Sequence, residues 1–224
     1  MSEIDILRWV HILAMVYWLG GEWGVFQSSY FVVNRNLPPE ERRRHMQTAY
    51  KIDILARTGI ILLLPLGLHM GTLFGFIPAL EGYLIVLWLV FAAWLTLTWS
   101  AFVFRETDRG VALSKIDERI RYVVIPLLVI GALAAFLGVG PIEVGEGSYW
   151  YPAKVLTYSG MLVIGLYLRF VMREWTTMFR ILAQGPDAAV ETRLERSIAN
   201  ARLVAYVYWI GIAGTAFLGA VKPF

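Results

Sequence analysis

Hydrophobic positions along the chain fall into six long runs, roughly 7–33, 54–76, 81–104, 121–139, 153–173 and 201–221, separated by short polar stretches. A helix needs about 20 mainly apolar residues to cross a bilayer, so the pattern predicts six spans. Two of the polar stretches read as helix starts. Pro38-Pro39-Glu40-Glu41 places prolines early and acids in the first turn, and Pro186-Asp187 opens a similar run. Each is expected to lead directly into the span that follows. Glycines and prolines inside the runs, Pro65, Gly67, Pro126 and Gly165 among them, suit close helix approach and kinks in a bundle. No stretch reads as a separate soluble domain. The expected fold is therefore all-α and integral to the membrane, a single six-helix transmembrane bundle over residues 1–224.

Composition agrees with that pattern. The chain is 58% hydrophobic and 14% aromatic, with a mean hydropathy of +0.61, too apolar for one soluble core of this size. The acids Glu3 and Asp5 before the first run, and the length of that run, argue against a cleavable signal, so the first span is expected to stay. There is no cysteine, which excludes disulfides, iron–sulfur clusters and thiolate metal sites. The basic residues fix an orientation: of 20 Lys and Arg, 17 lie in or beside the 1–2, 3–4 and 5–6 connections, and only Arg8, Lys154 and Lys222 fall on the other face. The positive-inside rule then puts both termini outside the cytoplasm, in a multi-pass protein of a bacterial inner membrane. Trp9, Tyr149, Trp150 and Tyr151 fall on the external face, where amphipathic rings suit the interface.

Three histidines carry the candidate metal chemistry. The first span descends from outside and the second returns, so His11 lies about one helical turn, and His69 about two turns, inside the outer boundary. Imidazoles from neighbouring antiparallel helices at similar depth are what a haem iron takes as axial ligands in membrane b-type cytochromes. Two haem propionates would need cations near the water boundary, and Arg8 and Lys154 are the nearest. Two other readings remain open: one histidine alone as ligand, or both as interhelical hydrogen-bonding groups. His45, among Arg42–Arg44, reads as solvated.

The pattern Arg8-Trp9-x-His11, Trp18-x-Gly20, followed by an aromatic-rich stretch to Tyr30-Phe31-Val32-Val33, resembles the first span of the membrane domain of PuuD-type urate oxidases. The looser H-x6-W-x-G pattern is similar to HemJ-type protoporphyrinogen oxidases and CopD-type copper-resistance membrane proteins. Residues 56–68 and 153–169 resemble later spans of the same group, so the likeness touches about half of the chain. It implies a b-haem ligand at His11 and a structural or propionate-binding role for Lys154; His69 rests on depth alone. Two departures stand out. Nothing here resembles the cytochrome c domain appended in the PuuD type, and Glu22 stands where the HemJ-like pattern is apolar.

Glu22 lies three turns below His11, where an unpaired carboxylate costs several kcal/mol. It must be neutral, paired or wet. Arg57 at the start of span two is the expected partner, with Gln27 and Asp53 extending a polar path; the alternative role is proton transfer or quinone contact. Gly20 and Gly21 suit tight packing, and Gly20 is also a candidate for contact with a flat macrocycle. A copper transporter of the CopD kind is an alternative, but the seven methionines form no MxxM or MxxxM cluster and Cu(I) prefers soft sulfur donors. Trp88, Trp94 and Trp99 are assigned no chemistry. The expected function is a membrane b-type cytochrome with one haem b in the outer leaflet. Such a haem cannot alone carry electrons across the bilayer, so a quinone, a porphyrin or an external redox protein is implied as partner. The competing reading is a non-catalytic subunit without a redox cofactor. Membrane lipid is an expected partner, as is assembly into an oligomer or complex, and nucleic acid is not.

Overall fold

The computed structural model describes residues 2–105 and 107–224. Six helices follow one another: α1 Glu3–Val32, α2 Pro39–Leu73, α3 Leu84–Val103, α4 Asp108–Phe136, α5 Trp150–Leu182 and α6 Ala188–Val221, with a short 3-10 turn Pro78–Tyr83 ahead of α3. All six are long and apolar enough to cross a membrane. The expected helix starts are present and run without a break into their spans. α2 begins at Pro39 with Glu40 and Glu41 in its first turn, and Asp187 caps α6 by accepting from the amides of Ala189 at 2.9 Å and Val190 at 3.1 Å. These bonds satisfy donors that a helix start leaves open.

The helices close a ring, each packed on its sequence neighbours, with α6 returning to α1. Both termini lie at the same end: the Trp150 amide donates to the carbonyl of Phe224 at 3.0 Å, and Glu3 sits 3.3 Å from His69. We call this the terminal end and the other the arginine-rich end. α2 is the most enclosed of the six, since 67% of its apolar stretch is buried against 17–33% in the other five helices. Ile85, Leu127, Ile130, Leu203 and Ile210 stand fully outward, a continuous apolar perimeter suited to lipid.

α1 turns inward the residues Ala14, Trp18, Gly21, Val25, Ser29 and Val32, spaced three and four apart as one helix face requires. That face meets α2 closely. A methyl at Gly21 would come within 2.8 Å of the Ala56 side chain, and one at Gly59 would strike the Ala14 carbonyl and the backbone of Trp18. Small residues at such crossings let two backbones approach and gain van der Waals contact in a medium with no hydrophobic drive. α2 and α5 stand further apart. Three tyrosine hydroxyls span their gap: Tyr158 donates to the Ile60 carbonyl at 2.6 Å, Tyr151 to that of Gly67 at 3.3 Å, and Tyr50 of α2 to that of Met172 at 2.7 Å. The two cavities described next lie in this gap.

Candidate functional site

The larger cavity, of about 500 Å³, opens at the terminal end between α1, α2, α5 and α6. That volume is within the range of small-molecule and cofactor sites, ~300–1,000 Å³. Trp18 forms part of its floor, and Arg8, His11, Lys154 and Lys222 all line it. His11 lies against Gly67, and its Nδ1 is buried with no hydrogen-bond partner among the described residues. An orphaned buried nitrogen costs of order 1–3 kcal/mol, so it calls for a ligand. Lys154 runs over Gly219, where any side chain would meet its ammonium. The Lys222 ammonium sits between the rings of Phe74 and Trp150, 5.1 and 5.0 Å from their centroids. Among the described residues, no ion pair involves Arg8, Lys154 or Lys222. The cavity lining therefore presents an imidazole and three cations and no carboxylate.

His69 does not join them. It stands two residues, or about 200° of helix, from the cavity-lining Gly67, and points instead toward α1 and α3. Its Nε2 lies 3.3 Å from a Glu3 carboxylate oxygen, and its Nδ1 accepts from the Trp88 indole at 3.3 Å. With both nitrogens engaged on the far side of α2, His69 is a bolt between three helices. The expected axial pair with His11 is not brought together, because similar depth joins two side chains only where their helix faces also meet. Gly20 is also displaced: it is exposed, with nothing within 4 Å of where a side chain would start, and the close approach belongs to Gly21. His45 is half-buried and stacks on Phe31 at 4.5 Å between centroids.

A second, smaller cavity of about 60 Å³ lies toward the arginine-rich end, lined by Glu22, Asp53, Arg57, Arg121, Arg169 and Arg202 among others. The structure brings the expected Glu22, Asp53 and Arg57 together there but pairs them differently. Arg57 forms its ion pair with Asp53, one turn before it on α2, while Glu22 takes part in no hydrogen bond or ion pair among the described residues. Gln27 is exposed and stands off this cavity. The two cavities are parted by a hydrogen bond that sequence reasoning missed: the Trp18 indole donates to the Tyr208 hydroxyl at 3.0 Å. Both rings are 1% exposed. Trp18 faces the larger cavity and Tyr208 the smaller.

Also missed was the buried hub at Asp117 of α4. Its carboxylate, fully enclosed, accepts from the Trp94 indole at 2.7 Å and Thr98 at 2.9 Å, and is paired with Arg121 and Arg169. Beside it Glu118 meets Arg169 at 3.6 Å and Arg173 at 3.3 Å. The tryptophans to which no chemistry was assigned are thus donors: Trp88 to His69, Trp94 to Asp117 and Trp99 to Thr58 at 3.0 Å. Among the described residues no three His, Asp or Glu side chains gather as a metal site.

Fold and cavities define a six-helix membrane bundle with a cation-rimmed cofactor-sized pocket at one end and a charged cavity beneath it. No family model, curated protein or solved structure matches the chain.

Proposed function

We propose that this chain is a membrane b-type cytochrome that holds one haem in the larger cavity, with His11 as its protein ligand. One observation carries the reading: a buried imidazole nitrogen without a partner among the described residues, in a cavity of about 500 Å³ lined also by three cations and no carboxylate. The residues suit the group. Neutral imidazole is a usual axial donor to haem iron, and Arg8, Lys154 and Lys222 supply the counter-charge that two propionates require. Haem, when bound, supplies one-electron exchange at a potential tuned by its ligand and surroundings. The chain's own share is to hold and shield it. Gly67 leaves room beside the imidazole, Trp18 and Tyr158 line the deep side, and Trp150 and Tyr151 the outer wall.

The charge asymmetry supports an orientation with the arginine-rich end in the cytoplasm and the termini outside, in a bacterial inner membrane. A haem near the terminal end then exchanges electrons with a quinone or an external redox protein. The resemblance of Arg8-Trp9-x-His11 and Trp18-x-Gly20 to the PuuD, HemJ and CopD group favours the same assignment.

The test is an oxidised and a reduced optical spectrum of the protein purified from haem-replete cells. Wild type should carry a Soret band and near-stoichiometric haem. His11→Ala should lose both while remaining folded, and His69→Ala should keep its haem. A colourless wild-type protein would sink the reading in favour of a subunit without a redox cofactor. Retention of the full spectrum by His11→Ala would move the site elsewhere.

A further inference from the structure

We propose that Glu22 is a proton-exchange site: its carboxylate takes up a proton, and the acid returns it, through water in the smaller cavity and from the arginine-rich side alone. This rests on geometry independent of the haem, and the apoprotein serves to test it.

Four observations meet at Glu22. First, it is a carboxyl inside a membrane span with no ion pair or hydrogen bond among the described residues, since the neighbouring Arg57 is held by Asp53. A group so placed is stable as the neutral acid, or as an anion only while water reaches it. Second, it lines a cavity of about 60 Å³, which has room for a few water molecules. Third, the other carboxylate on that cavity and three of its arginines are engaged, Asp53 with Arg57 and Arg121 and Arg169 with Asp117, while Arg202 gives Nε to Ser29 at 2.9 Å and lies over the Tyr30 ring, its Nη2 unpaired among the described residues. Glu22 is left as the group free to change its charge. Fourth, the way toward the terminal end is shut. The Tyr208 oxygen accepts from Trp18, which leaves the phenol proton to turn to the cavity side, and an indole N–H gives up no proton to continue the path. Protons that reach Tyr208 stop there.

From α2 the groups facing Glu22 are thus Asp53 and Arg57, from α4 Arg121, from α5 Arg169, and from α6 Arg202 and Tyr208. Protonation of Glu22 adds one positive charge to this set, and the fixed arginines favour its release. The site is consequently poised to exchange, where an isolated buried acid would hold its proton throughout.

A hydrophobic carbodiimide tests this directly, because it adds to a protonated carboxylic acid, which keeps its oxygens while the proton passes to the carbodiimide nitrogen. Vesicles with the protein inserted in one known direction are treated with dicyclohexylcarbodiimide while the pH at each face is set separately, and adducts are located by mass spectrometry. The adduct should form on Glu22 and not on Asp53 or Asp117. It should fall about tenfold per pH unit above its midpoint when the arginine-rich face is made alkaline, stay unchanged when the terminal face is, and be lost in Glu22→Gln. Absence of a Glu22 adduct at every pH, equal labelling of Asp53, or labelling that follows the terminal face would each overturn the proposal. Haem content measured on the same samples keeps its failure separate from that of the haem reading.

Discussion

At the scale of single residues, the strongest test of the packing is Asp117. One enclosed carboxylate answers two arginines, a tryptophan and a threonine, and loss of a buried pair's one partner strands the other charge at roughly 3–5 kcal/mol. Asp117→Asn keeps the volume and the acceptor for Trp94 and Thr98, so the cost comes from Arg121 and Arg169. The variant should melt several degrees below wild type in detergent and express poorly; an unchanged melting midpoint would mean that the arginines find water. Why some of these residues were legible in the sequence and others were not is itself physical. Depth is readable from a position within a run, and it put Arg8, His11 and Lys154 near one boundary, where they share a cavity. Depth alone does not place His69, because a two-residue step from Gly67 turns it to the opposite face of α2. The i,i+4 spacing of Asp53 and Arg57 likewise favours their pairing over Glu22–Arg57. The Trp18–Tyr208 bond joins residues 190 apart, and no local pattern points to it.

At the scale of elements, the helices extend past their apolar runs and dock outside them. Arg42, near the start of α2, is buried and gives Nε to the Val32 carbonyl at 2.8 Å, which closes the end of α1; its other nitrogens grip both oxygens of Glu191, before the apolar run of α6, at 2.7 and 2.8 Å. Three helices are thus pinned by one guanidinium. The Arg42 hydrogen bonds hold the Glu191 carboxyl below the usual carboxylate range. A folded-state value below the unfolded one contributes stability that is present at neutral pH and is lost as pH falls through the folded value. Glu191→Gln should therefore cost roughly 1.5–3 kcal/mol at pH 7, and the gap from wild type should narrow only in strongly acidic buffer. Thermal melts across pH would show this, and a gap that narrows on the alkaline side would contradict it. These starts were the most legible part of the fold, because proline, an acidic first turn and an Asp cap act through the local backbone.

At the scale of the whole molecule, an even number of spans and the contacts of Glu3 with His69 and of Phe224 with Trp150 place both termini on one face. Reporter fusions at the two ends should give the same answer. By the charge asymmetry, a phosphatase that works only outside the cytoplasm should be active on both and a cytoplasmic fluorophore dark on both; opposite answers would break the six-span topology. The ring closes only when α6 reaches α1, and α6 with its capping Lys222 brings Thr215 and that ammonium to the larger cavity and Arg202 and Tyr208 to the smaller. α6 is therefore a wall common to both chambers, and a displacement of that one helix would unseal the two together.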